Sequence, residues 1–154
     1  MIGDVTRAIV QAIENARQGT PFAATEIRAD AGSPEPPPPG VTVTLVSAAI
    51  DHATRDTPMR ASAQAAEQGI ILHYVITPRA DPAGTQHDML GWLLRTMRSA
   101  PVITAGAGSI RLSVVTLPLE TETRLWLALH PGRPLLPSLH VEARTALGGS
   151  HRMS

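Results

Sequence analysis

Apolar positions recur at three- and four-residue spacings near the start of the chain. Val5, Ala8, Ile9, Ala12, Ile13 and Ala16 make one stripe, predicting an amphipathic helix over Asp4–Arg17. Asp4 is placed to cap it, and Gly19 lies where it would stop. Phe22 to Arg28 reads as a strand. Residues 33–40, SPEPPPPG, can be neither helix nor central strand, because proline lacks an amide donor and fixes φ. They predict an exposed extended connector, with a proline-rich docking ligand as the alternative.

Val41 to Leu45 alternates cleanly, as a strand with one buried face does. His52 to Gln68 is polar, alanine-rich and poorly patterned, and reads as a long loop with room for a short helical piece. Ile70 to Thr77 is apolar on both faces and predicts a central strand, ended by Pro78 and the following Ala-Asp-Pro-Ala-Gly run. A second helix is predicted from Thr85 to Arg98, with Thr85 and Asp88 at capping-box spacing and Pro101 beyond its end. Met89, Leu90, Leu93, Leu94 and Met97 form its broad apolar face, so Leu90 and Leu94 are expected in the core. Gly91 inside that helix costs about 1 kcal/mol relative to alanine, which points to close packing there. Ile110 to Leu117 predicts a strand, Thr123 to Leu129 a helical turn around Trp126, and Leu136 to Thr145 a last strand. The order fits an α/β (α+β) single domain, a mixed sheet packed with two main helices. The domain is expected to span 1–148, with 149–154 as a flexible tail.

Composition narrows the function classes. The 154 residues suffice for one modest core, and with only 3% aromatics it must be filled by aliphatic side chains. Thirteen basic residues balance thirteen acidic ones, so no basic stripe for nucleic acid and no basic amphipathic face for a membrane surface is present. All the basic residues are arginines. Arginine's planar donor fork suits contacts between chains, although a GC-rich genome favours the same codons. The absence of cysteine excludes disulfides and cysteine-ligated metals. The first residues have neither the basic nor the apolar region of a signal peptide, and no apolar run approaches the roughly 20 residues that span a bilayer. Cytoplasmic assembly is the expectation.

Candidate chemistry is thin. Six histidines, His52, His73, His87, His130, His140 and His151, include no HExxH pair and no second histidine at helical spacing. His73 and His140 lie on predicted strands and could meet, with Asp81 or Asp88 completing a metal set. Gly108-Ser109 has the wrong context for a nucleophile elbow, and Gly106-Ala107-Gly108 for a dinucleotide fingerprint, so these read as loop glycines. Glu120 and Glu122 read as a solvated turn before Trp126. No catalytic residue, cofactor or metal is assigned. The alternative is a small-molecule- or metal-binding protein, or an enzyme, using His73 and His140.

Longer segments carry a resemblance. LHYVITPRADPAGTQHDMLGWLLRTMRSAPVI, Leu72 to Ile103, joins a strand, an acidic-proline turn and a helix bearing His-x-x-Leu-Gly-x-x-Leu-Arg. LWLALHPGRPLLPSLHVEAR, Leu125 to Arg144, adds a Leu-Trp-x-Ala-Leu turn and a Leu-x-Pro-Ser-Leu approach to the last strand. With Ile2-Gly-Asp-Val-Thr at the start, these resemble the tail-cap, or tail-terminator, proteins of contractile injection systems of the antifeeding-prophage and virulence-cassette type. The resemblance runs from about Ile2 to Leu147 and rests on the order and spacing of the pieces. It departs at Pro78-Arg79 and around Val46 to Asp51, which are less aromatic than the family pattern. Relatives can carry a further C-terminal domain, which is not expected here.

The resemblance implies a phage tail-terminator-like fold and a structural, non-enzymatic role. It implies a homohexameric ring on the end of the inner tube, touching the last sheath layer and stopping growth, with inner tube protein and sheath protein as partners. It marks His87, Leu90, Gly91, Leu94 and Arg95 as the helix motif. Arg95 and Arg98 are the candidate interface residues.

Overall fold

The computed structural model describes residues 2–32, 35, 38–52, 68–106 and 108–147. The expected loop over His52–Gln68 lies outside them except at its ends, as does much of the proline-rich connector and the whole of the expected tail 149–154. The elements are α1 (Ile2–Ala16), β1 (Ile27–Asp30), β2 (Gly40–Ile50), β3 (Gln68–Arg79), α2 (Ala83–Ser99), β4 (Val102–Ala105), β5 (Gly108–Val115), α3 (Leu119–Leu129) and β6 (Leu139–Leu147). The strands form one mixed sheet in the order β1-β2-β3-β6-β5-β4, with β1 parallel to β2 and every other neighbour antiparallel.

Helix α1 forms because Val5, Ile9 and Ile13 recur every four residues, and all three are buried. The helix packs against β1 and β4, the two edge strands, so the sheet curls around it. Its second tie is polar: Thr6 Oγ1 lies 2.8 Å from the hydroxyl of fully buried Tyr74, which meets that phenol's need for a partner. Asp4 does not cap the helix; it sits within the first turn and pairs with Arg7.

Strand β3 is central, as its two-sided apolar pattern predicts. Ile70, Leu72, Tyr74 and Ile76 face α1 and α2, in line with Leu139, Val141 and Ala143 of β6 and Val41 and Val43 of β2. The strand does not stop at Pro78 but continues to Arg79. Proline is tolerated there because β6 has already ended, at the Ile76–Leu139 pair, so no ladder bond on that side is lost. Strand β2 is longer than Val41–Leu45 and is buried on both faces at its start, where Thr42 and Thr44 are covered as well. Gly40 begins it with φ 129°, and a Cβ there would stand 2.5 Å from the Glu26 carbonyl oxygen, so only glycine fits.

Several sequence expectations are corrected. The strand expected over Phe22–Arg28 begins only at Ile27, after turns. A four-residue strand, β4, was not anticipated; it makes a hairpin with β5 around Gly106, whose φ is 59°. The turn expected over Thr123–Leu129 is part of a full third helix, Leu119–Leu129, which also takes in Glu120 and Glu122. Helix α2 starts at Ala83 with Pro82 as its N-cap and no side-chain cap, so the Thr85/Asp88 box is not formed. Gln86 instead reaches back, its Oε1 accepting from the Ala80 amide at 3.2 Å.

The face of α2 is also turned from the expected one. Met89, Trp92, Leu93, Thr96 and Met97 are buried, whereas Leu94 is 38% exposed and Leu90 only partly covered. Leu94 is therefore not a core residue. Nor is Gly91 closely packed within the chain, since an added Cβ would meet only the Arg95 guanidinium at 3.7 Å.

Candidate functional site

The rotation of α2 gives it an outward stripe of His87, Gly91, Leu94, Arg95 and Arg98. Arg95 lines an open groove of about 480 Å³ with Pro21, Phe22, Thr85, His87, Asp88 and Gly91. The wall opposite is built by Phe22, whose ring lies 5.3 Å from that of Trp92 at 34°. The missing side chain at Gly91 keeps the groove open. Arg98, in the last turn, is exposed and lies outside the groove's lining, at the end of the helix where a cation is favoured. Neither arginine forms an ion pair among the described residues. The stripe sets exposed Leu94 beside two arginines, a residue type enriched at protein contacts.

The second face of the sheet is polar and mostly covered at one end. Thr42, Thr44, Thr77 and His140 are buried there beside Val75, apart from the main apolar cluster. Helix α3 lies over this end, bringing Glu122 Oε1 to 3.5 Å from His140 Nε2. Trp126 anchors it, donating from Nε1 to the Arg133 carbonyl at 3.2 Å and stacking on His130 at 4.3 Å. Its outer side exposes Leu119 at 69% and Leu127 at 51%.

His73 and His140 do meet, as their strands suggested: His73 Nε2 and His140 Nδ1 are 3.2 Å apart across the β3–β6 pair. The carboxylate that joins them is Glu122, which sequence reasoning placed on a solvated turn, rather than Asp81 or Asp88. Each ring commits one nitrogen to the other. Among the described residues no group of three or more His, Cys, Asp or Glu side chains is placed to hold a metal. The metal or small-molecule alternative therefore gains nothing from the geometry.

Burial, and after it the charge of His140, push the His73 ring below the ordinary histidine value, while Glu142 pulls it back up. Below the ordinary value, about 6.5, the unfolded chain takes up a proton at this position that the folded chain refuses. Stability is thus expected to fall as pH drops below about 6.5. Melting temperatures of wild type and His73→Gln between neutral and mildly acidic pH check this; the variant should show a shallower decline, and parallel curves would show that His73 is not responsible.

Residues 4–152 match the protein-family model described as Pvc16 N-terminal domain. The chain belongs to this family. Among solved structures, this Pvc16-type domain is similar to a chain of the PVC sheath/tube terminator of an extracellular contractile injection system in its extended state. That match has a TM-score of 0.67 and 18% identity, covering 98% of this chain and 58% of that one. It is also similar to the anti-feeding prophage cap, described as the AFP tube terminating cap, with a TM-score of 0.73 and 17% identity over 99% of this chain and 56% of that one. The domain thus spans somewhat more than half the length of both, and the likeness at these identities is one of fold. No curated protein matches the sequence. No helix among the described residues is long and apolar enough to cross a membrane.

Proposed function

We propose that this chain is a terminator subunit of a contractile injection particle. Six copies close a ring on the last layer of the inner tube, touch the last sheath layer and end the growth of both. The observation that carries the reading is membership of the Pvc16 N-terminal domain family across residues 4–152. Fold likeness over nearly the whole chain to a sheath/tube terminator and a tube terminating cap supports it. The role is structural rather than enzymatic, with assembly in the cytoplasm and no cofactor. A ring subunit needs two different complementary faces, a heterologous contact that closes by rotation. Specific contacts of this kind bury about 1,200–2,000 Å². Within the ring or against the tube, the α2 stripe with Arg95 and Arg98 is one such face.

Native mass spectrometry of the purified chain, alone and with isolated inner tubes, tests this. Wild type should give a hexamer, or a monomer that becomes a hexamer when tube ends are supplied. Arg95→Glu with Arg98→Glu should melt like wild type and associate at least about tenfold more weakly, because charge reversal at a contact places like charges together. A stable dimer in both conditions would exclude the ring. Undiminished assembly of the double variant would remove the two arginines from the interface.

A further inference from the structure

The curled sheet has unguarded edge at both of its sides. On one side, β1 covers only the start of β2, through the pairs Ile27–Val41 to Asp30–Thr44. The chain then leaves the edge at Gly32, whose φ of 88° turns it toward Leu129. From Leu45 to Ile50, β2 has no neighbour on that side among the described residues. On the opposite side, the outer edge of β4, Val102–Ala105, is likewise without a strand partner among the described residues.

Exposed edges invite pairing, and proteins commonly guard them with charge, proline or a covering element. Strand β1 is guarded, by Arg28 and Asp30. The other two segments are not: Ser47-Ala-Ala-Ile50 and Val102-Ile-Thr-Ala105 contain no charged residue and no proline. Ser47–Ile50 is exposed throughout, with Ile50 at 47%, and β4 exposes Val102, at 56%, and Thr104 while Ile103 and Ala105 pack against the core. Uncharged edges on opposite sides of one sheet, Leu45–Ile50 of β2 and the shorter Val102–Ala105 of β4, are what a head-to-tail contact between copies requires.

The backbone is set for it. The pairing of β2 with β3 has a bulge between Leu45 and Ser47, which shifts the alternation so that Ser47 and Ala49 share a face with His73 and Ile71. The Asp51 amide donates to the Gly69 carbonyl at 2.8 Å, so by alternation Ser47 and Ala49 are bonded inward to β3. The amides and carbonyls of Ala48 and Ile50 then point out from the free edge.

We infer that this edge of β2 receives the β4 edge of a second copy of the same chain, so that the sheet continues from protomer to protomer around the ring. Following the antiparallel pairs across the sheet, β2 and β4 run in the same direction, so the new pairing is parallel, as β1–β2 already is. Matching faces and overlapping all four residues sets the register. Val102 falls opposite Ser47 and Thr104 opposite Ala49 on the second face. Ile103 falls opposite Ala48 and Ala105 opposite Ile50 on the other, each larger aliphatic side chain facing a small one.

This rests on the ring reading above, and the experiment separates the two. The chain has no cysteine, so introduced pairs report contacts cleanly. Ala49→Cys with Thr104→Cys in one chain, mixed with isolated inner tubes and oxidised, should give a ladder of covalent multimers up to the hexamer on a non-reducing gel. Either single variant should stay monomeric. Ala48→Pro, which removes an outward amide and no intrachain bond, should melt near wild type and lower the hexamer fraction more than tenfold.

A wild-type hexamer together with an uncross-linked double variant and an unaffected Ala48→Pro would overturn the edge pairing and leave the ring intact. Cross-linking of the single Ala49→Cys variant to itself would overturn it in favour of a two-fold β2–β2 contact. A wild-type chain that stays monomeric with tubes present would overturn both readings.

Discussion

Leu93→Ala will destabilise the fold by about 2–5 kcal/mol, whereas the neighbouring Leu94→Ala will cost less than about 1 kcal/mol. The difference follows from how α2 is turned. Leu93 is fully buried in the cluster that joins α1, α2 and the inner face of the sheet, so truncation leaves a cavity that surrounding residues fill only in part. Leu94 is 38% exposed on the stripe that carries Arg95 and Arg98, and its removal exposes little that was dry. Urea unfolding of both variants measures the gap. Midpoints lowered equally would mean that Leu94 is packed in solution, and the α2 surface would have to be redrawn. With stability retained, Leu94→Ala becomes a clean probe of assembly.

The face of α2 marks the boundary of what the sequence discloses: Leu90 and Leu94 were expected inside, and Trp92 and Thr96 are buried instead. A stripe spaced at three and four residues establishes that a helix is amphipathic, and it located α1 correctly because its apolar arc is narrow: Val5, Ile9 and Ile13 admit one orientation.

 

All three positions, Val5, Ile9 and Ile13, are indeed buried. On α2 the apolar arc is broad, and Leu90, Trp92, Leu93 and Leu94 compete for the core. The neighbours decide among them, and Phe22 settles it by stacking on Trp92. Strand β3 was legible because only a central strand is apolar on both faces. Strand β4 was not, since four residues carry no readable period and its pairing depends on the hairpin at Gly106.

The candidate surfaces divide in the same way. That His73 and His140 meet follows from two strands becoming neighbours, and both strands were visible. Glu122 was missed because α3 looked like a turn: Trp126 is its one buried residue, so the helix shows no apolar stripe of the usual width. Arg95 and Arg98, the candidate interface residues, are both exposed on α2. The unguarded edges could not be read at all, because an edge is a property of strand order, which the sequence does not state locally.

The largest functional effect is expected from removing the chain altogether. A tube whose terminal layer presents the same face as every other layer has no internal reason to stop growing. A terminator binds that face and presents a different outer one, which recruits no further layer. Under the proposed function, loss of the subunit would leave the end open, and length would be set by supply of tube and sheath protein rather than by a stop. Electron micrographs of particles from a producing cell lacking this chain measure this directly. The account predicts tubes or sheaths of abnormal and widely varying length, poorly secured at the end away from the baseplate, with a narrow distribution restored by supplying the chain again. Intact particles of uniform length in normal number, made without it, would contradict the account.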